Sequence, residues 1–119
     1  LDGPDASLAG IRDLFHSALA NYDSEKPRAC LMTSTAAEQG SQDVTIQQRT
    51  NEHFQRLEDS LVNALNNAQR RGELSPDRDT RALAVFFVNC LHGLGVMTKS
   101  GAPREKLESV VQVALAMLN

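Results

Sequence analysis

The stretch RRGELSPDRDTRALAVFFVNCLHGLG, Arg70 to Gly95, decides how the chain is read. It opens on charge and a turn signal, then turns apolar on almost every side. Ser75, Pro76 and Asp77 form a helix start of N-cap, proline at the first helical position and an acid in the first turn. From Ala82 onward, Leu83, Phe86, Phe87, Cys90, Leu94 and Met97 cover a wide arc of that helix. Val85, Val88, Leu91 and Val96 fill much of the remainder. A surface helix needs one apolar stripe only, so a helix over 76–98 with hardly a polar face must be covered on more than one side.

Working outward, the spacing predicts helices and no strand. Upstream, Ile46, Thr50, Phe54, Leu57, Leu61, Leu65 and Ala68 recur at three- and four-residue steps, giving a long helix from Asp43 as N-cap to Arg71. Arg70 and Arg71 suit its negative C-terminal end, and Gly72 supplies the stop. Before it, Pro27 opens a shorter helix that carries Cys30 and Met32 and ends near Gly40. At the start of the chain, Leu8, Ile11, Phe15, Ala18, Leu19 and Tyr22 place a helix over Asp5–Tyr22. Downstream of the KSGAP break, Leu107, Val110, Val111, Ala114, Leu115, Met117 and Leu118 define a last helix. The expected fold is therefore all-α, an antiparallel bundle of about five helices forming one domain over residues 1–119.

Composition bounds the function. With 119 residues the chain suffices for one compact core. A net charge of −3 and an aromatic content of 4%, with no Trp, leave neither a concentrated basic face for phosphates nor a stacking platform for bases. Asn89 and His92 interrupt the best apolar run, so no membrane span is expected. No signal peptide is visible, and the expected compartment is the cytoplasm. The two cysteines, Cys30 and Cys90, read as free, mostly buried thiols.

No catalytic site or metal centre is legible. His16, His53 and His92 lie on three different helices without partners at metal spacing. HExxH, CxxC, GxSxG and phosphate-cradling glycine loops are absent from the sequence. Cys90 and His92, two residues apart, point in different directions on a helix. No cofactor is implied. A small-molecule pocket among the helices fits the residues better, with Phe15, Met32, Phe54, Leu57, Leu61, Phe87, Cys90 and Leu91 as lining. Thr35, Asn89 and His92 are its candidate polar contacts. For each apolar member taken singly, simple core packing is the better explanation. Asn89 and His92 are more telling, because a polar group inside an apolar helix must find a partner.

The all-round apolar helix and the last helix together hold more apolar surface than a domain of this size readily hides. Two such helices from each of two chains make a four-helix interface. Leaving Phe86 or Phe87 bare forgoes roughly 1.5–3 kcal/mol each. Gly93 and Gly95 weaken a helix by about 1 kcal/mol each relative to alanine, a cost explained by close approach of another backbone or by room for a ligand or bend.

These segments resemble the C-terminal ligand-sensing and dimerisation domain of TetR-family transcriptional regulators. The resemblance rests on RACLMTSTAAE at 28–38 and AQRRGELSPDRDTRALAVFFVNCLHGLGVMTKSG at 68–101, followed by APREKLESVVQVALAML. It lies in the order of a small-Cys-Leu helix opening, an R-x-G-x-L turn, an acidic helix start and a GL pair before a further amphipathic helix. The resemblance implies a homodimer through the last two helices, with Phe86, Asn89, Cys90, Gly93, Leu94 and Met97 near the partner or the local core. Val110, Val113, Ala114 and Met117 join them from the last helix. It further implies an effector pocket enclosed by the earlier helices, taking a small apolar or mixed-polarity compound whose binding releases a repressor from DNA. The family's helix-turn-helix does not stand in these residues, so operator DNA is expected to be met only through a missing N-terminal segment. The alternative is a structural or adaptor dimerisation domain without an effector.

Overall fold

The computed structural model describes residues 3–20, 22 and 44–119, with the side chains of residues 44 and 46 outside that description. Among the described residues the fold is all-α: α1 is Leu8–Ala20, α2 Val44–Arg70, α3 Thr80–Lys99 and α4 Arg104–Ala116. The expected helix from Pro27 to Gly40, with Cys30, Met32 and Thr35, lies outside the described residues, as does the Asp43 cap.

Periodicity explains what each helix buries. On α1 the buried residues are Leu8, Ile11 and Phe15, one stripe at three- and four-residue steps, continued by Tyr22 beyond its end. On α2 the fully buried stretch is Leu61, Ala64, Leu65 and Ala68. Leu107, Val111, Ala114 and Leu115 turn inward from α4. The largest interface is between α2 and α3, and α1 packs across α2, α3 and α4. At the centre Phe15 and Phe87, both fully buried, meet edge to face with centroids 5.6 Å apart, a geometry worth about 0.5–1.5 kcal/mol beyond area burial.

Two glycines end two helices by the same device. Gly72 and Gly101 have φ of 77° and 79°, a left-handed conformation that disfavours any Cβ. After α2, the Gly72 N–H reaches the Gln69 carbonyl and the Glu73 N–H reaches that of Ala68 at 2.8 Å. After α3, the Gly101 N–H reaches Thr98 and the Ala102 N–H reaches Met97 at 3.0 Å. Both are Schellman closures, which satisfy carbonyls that the helix leaves open.

The start of α3 corrects the sequence reading. Ser75, Pro76 and Asp77 form a turn instead of a helix start: the Arg78 N–H bonds the Ser75 carbonyl at 3.2 Å, and the Asp77 N–H bonds Ser75 Oγ at 3.3 Å. The helix begins four residues later than proline at the first position would put it. Asp79 is its N-cap, with a carboxylate that accepts from the Ala82 N–H at 3.0 Å. A serine and an aspartate both satisfy N-cap chemistry, and the local signal does not choose between them.

By length and mean hydropathy α3 is able to cross a membrane, a looser criterion than the uninterrupted apolar run applied to the sequence. Its environment explains the composition. Leu83, Ala84, Phe87, Leu94, Gly95 and Thr98 are buried against the other helices, and Thr98 Oγ1 donates to the Leu94 carbonyl at 2.8 Å. The apolar surround is that of a central bundle helix with one side left over.

Candidate functional site

The left-over side is specific. Among the described residues the exposed large hydrophobics are Val85, Phe86 and Val96 on α3, Val113 on α4 and Met117 at its C-cap. At about 100° per residue, Val85, Phe86, Asn89, Gly93 and Val96 fall on one face of α3, and Ser109, Val113 and Met117 on one face of α4. Phe86 is 38% exposed and Val113 65%. Among the described residues, a Cβ added at Gly93 meets nothing within 4 Å, so no contact among them explains that glycine.

Of the residues expected near the partner or the local core, two take the second place. Leu94 and Ala114 are 2% and 1% exposed, both in the chain's own core. Leu94 stands five residues from Asn89, which on a helix carries it to the opposite side. Cys90, Met97 and Val110 are half-buried at the edges. Burial pushes the Cys90 thiol up, keeping it protonated and poorly nucleophilic at neutral pH.

The second region lies between α2 and α3. Phe54 of α2 and His92 of α3 stack with centroids 4.8 Å apart and an interplanar angle of 19°, and His53 meets the edge of Phe54 at 5.4 Å. His92 thus finds a ring as its partner. Leu57 and Leu91 are half-buried against the core. Among the described residues, the half-buried Phe54–His92 stack, with Leu57 one turn along α2 and Leu91 next to His92 in sequence, makes a patch of mixed polarity. Phe15, Leu61 and Phe87, expected as lining, are fully buried core residues. Asn89, expected as a polar contact there, is exposed beside Phe86 and Gly93.

Below this patch an ion cluster fixes α3 to α2. Arg81 Nη1 donates to Glu58 Oε2 at 2.7 Å and to Asp59 Oδ1 at 2.9 Å. Hydrogen bonds from Arg81 and Gln55 hold the Asp59 carboxyl below its ordinary value. A groove of about 460 Å³, missed in the sequence, opens between α1 and α4, with Arg12, His16 and Gln112 above a floor of Val111 and Leu115. Its walls come from helices some ninety positions apart, beyond the reach of local patterning. Among the described residues no group of His, Cys, Asp and Glu converges to hold a metal.

Comparison with known proteins identifies the family of the chain as a whole. The family described as tetracyclin repressor-like, C-terminal domain, matches residues 7–117. The chain is 30% identical over 121 residues to an uncharacterized HTH-type transcriptional regulator, YezE, of Bacillus subtilis (strain 168). That match takes in the whole of this chain and 62% of the relative's length. No solved structure matches the chain.

Proposed function

The chain belongs to the tetracyclin repressor-like C-terminal domain family, and on that premise we propose that it pairs two copies of a transcriptional regulator and senses a small molecule for them. The observation that carries the reading is that, among the described residues, the exposed large hydrophobics all lie on α3 and the α4 segment. A twofold partner covers that face with its own, burying Phe86 and Val113 and letting a helix approach at Gly93.

The sensing part of the proposal uses the patch of Phe54, Leu57, Leu91 and His92, which suits a small compound of apolar or mixed polarity. Met32 and Thr35 remain candidates for the same pocket. Operator DNA is bound by a helix-turn-helix outside these 119 residues, and the acidic charge of this part is consistent with that division. The regulator acts in the cytoplasm, without catalysis, as a repressor that its effector releases. Release requires the effector to bind the two conformations with different affinity; a tenfold weakening on DNA corresponds to about 1.4 kcal/mol of coupling. The complete burial of Phe15, Leu61 and Phe87 favours a second reading, an associating domain with a filled core and no effector.

The test uses the full-length protein. Light scattering reports assembly, a thermal-shift panel of apolar and mixed-polarity compounds finds binders, and fluorescence anisotropy follows operator release. A dimer that a stabilising compound detaches from DNA is the expected result. Saturable binding with unchanged DNA affinity overturns the switch, and an absence of binders across the panel favours the second reading.

A further inference from the structure

Residues 3–6 precede α1, and every one of their carbonyls is taken by a side chain of α2 or of Arg71, the residue that follows it. Asn63 Nδ2 donates to the Gly3 carbonyl at 3.1 Å. Asn67 Nδ2 lies 3.0 Å from the Ala6 carbonyl and 3.4 Å from those of Gly3 and Pro4. Arg71 reaches Pro4 with Nη2 at 3.2 Å and Asp5 with Nη1 at 3.3 Å, and its guanidinium is 3.6 Å from the Asp5 carboxylate. The three donors stand four residues apart, one stripe of a helix. Asn67 is 1% exposed, so the middle rung sits within the protein and the outer two nearer its surface.

We propose that Asn63, Asn67 and Arg71 are a clamp through which α2 sets the position of the segment entering α1, delivering displacements from the Phe54–His92 end of α2 to residues 3–6. The proposal rests on the reading above for the role of that end. Phe54 and Asn67 stand thirteen positions apart on one continuous helix, about 20 Å of stiff rod. Because the clamp holds carbonyls, it fixes where the segment lies whatever side chains it carries. One detail keeps it releasable: Asn67 Oδ1 is buried without a hydrogen-bond partner. That orphan acceptor offsets part of what the donor side gains, while release returns the carbonyls of residues 3–6 to water.

Hydrogen exchange read by mass spectrometry on the full-length protein tests the clamp, with α4 as internal reference. Asn67→Leu removes the donor and the orphan acceptor together at similar volume. Asn63→Ala and Arg71→Ala remove the outer rungs and leave the core intact should Asn67→Leu fail to fold. Exchange over residues 3–11 is expected to rise about tenfold in Asn67→Leu and several-fold in Arg71→Ala, with α4 unchanged. His92→Ala, which breaks the ring stack, is expected to speed exchange over residues 3–11 in the otherwise natural protein and to add nothing when the clamp is already cut. Unchanged exchange in the clamp variants overturns the proposal. So does a His92→Ala effect of the same size with and without the clamp. Operator binding is measured separately, so its absence refutes the regulator reading while the exchange results still decide the clamp.

Discussion

Val113→Asp separates association from folding. Val113 is 65% exposed on α4. Complete burial of a valine side chain is worth roughly 1.5–3 kcal/mol, so covering the exposed two-thirds supplies about 1–2 kcal/mol per protomer. A twofold interface counts the residue twice, giving about 2–4 kcal/mol. At 1.4 kcal/mol per decade the dimer weakens about 30- to 1,000-fold from lost burial alone, and two desolvated carboxylates weaken it further. Sedimentation equilibrium across a wide concentration range measures the dissociation constant, and circular dichroism checks that the helices persist. The melting temperature of the natural protein should rise with concentration, and that of the variant should not. Val111→Asp, at a position 3% exposed in the chain's own core, should unfold the protein instead. A natural protein that stays monomeric at high concentration, or a Val113→Asp variant that dissociates no more readily, refutes the reasoning.

Phe87→Ala removes half of the central ring pair and should cost about 3–5 kcal/mol in urea unfolding; a loss under 1 kcal/mol contradicts the central placement of that ring. Asp79→Ala should cost about 1 kcal/mol, whereas Ser75→Ala should be close to neutral, since Asp79 caps α3 and Ser75 holds only a turn. The Asp59 carboxyl is lowered by Arg81, so its contribution is present above the ordinary carboxylate range and fades as pH falls through its folded value. Arg81→Ala should move the Asp59 titration upward towards its ordinary value in a carboxyl NMR titration; an unmoved curve places the cause elsewhere.

The helices were legible because burial imposes its period on the sequence. Leu8, Ile11 and Phe15 declare α1, and Leu61, Leu65 and Ala68 declare α2, without knowledge of what they face. The apolar excess of α3 and α4 was equally visible, since composition records it. Which way each residue turns was not. Leu94 and Asn89 both sit in the same apolar run, and only the packing of α2 and α4 on either side of α3 decides that one goes inward and the other out. The clamp escaped notice for another reason. Asn67 lies among Ala64, Leu65 and Ala68, a polar residue inside a buried stretch, and that signal was present; its partners are the carbonyls of residues 3–6, which carry no mark in a sequence.

The paired Schellman closures also bear on how the protein acquires its structure. Gly72 and Gly101 reverse the chain within a few residues, so the contacts of α2 with α3 and of α3 with α4 close short loops at small entropic cost. The contacts of the α1 region with the α4 region join positions far apart in the chain, as in the bonds from the Tyr22 hydroxyl to the Ala102 carbonyl, 80 positions away, and from Arg104 to the Leu19 carbonyl, 85 away. Local pairings form before distant ones reward their ordering. Contact order therefore favours a nucleus in the three C-terminal helices with α1 docking afterwards, and predicts φ-values near zero for Ile11→Val in α1.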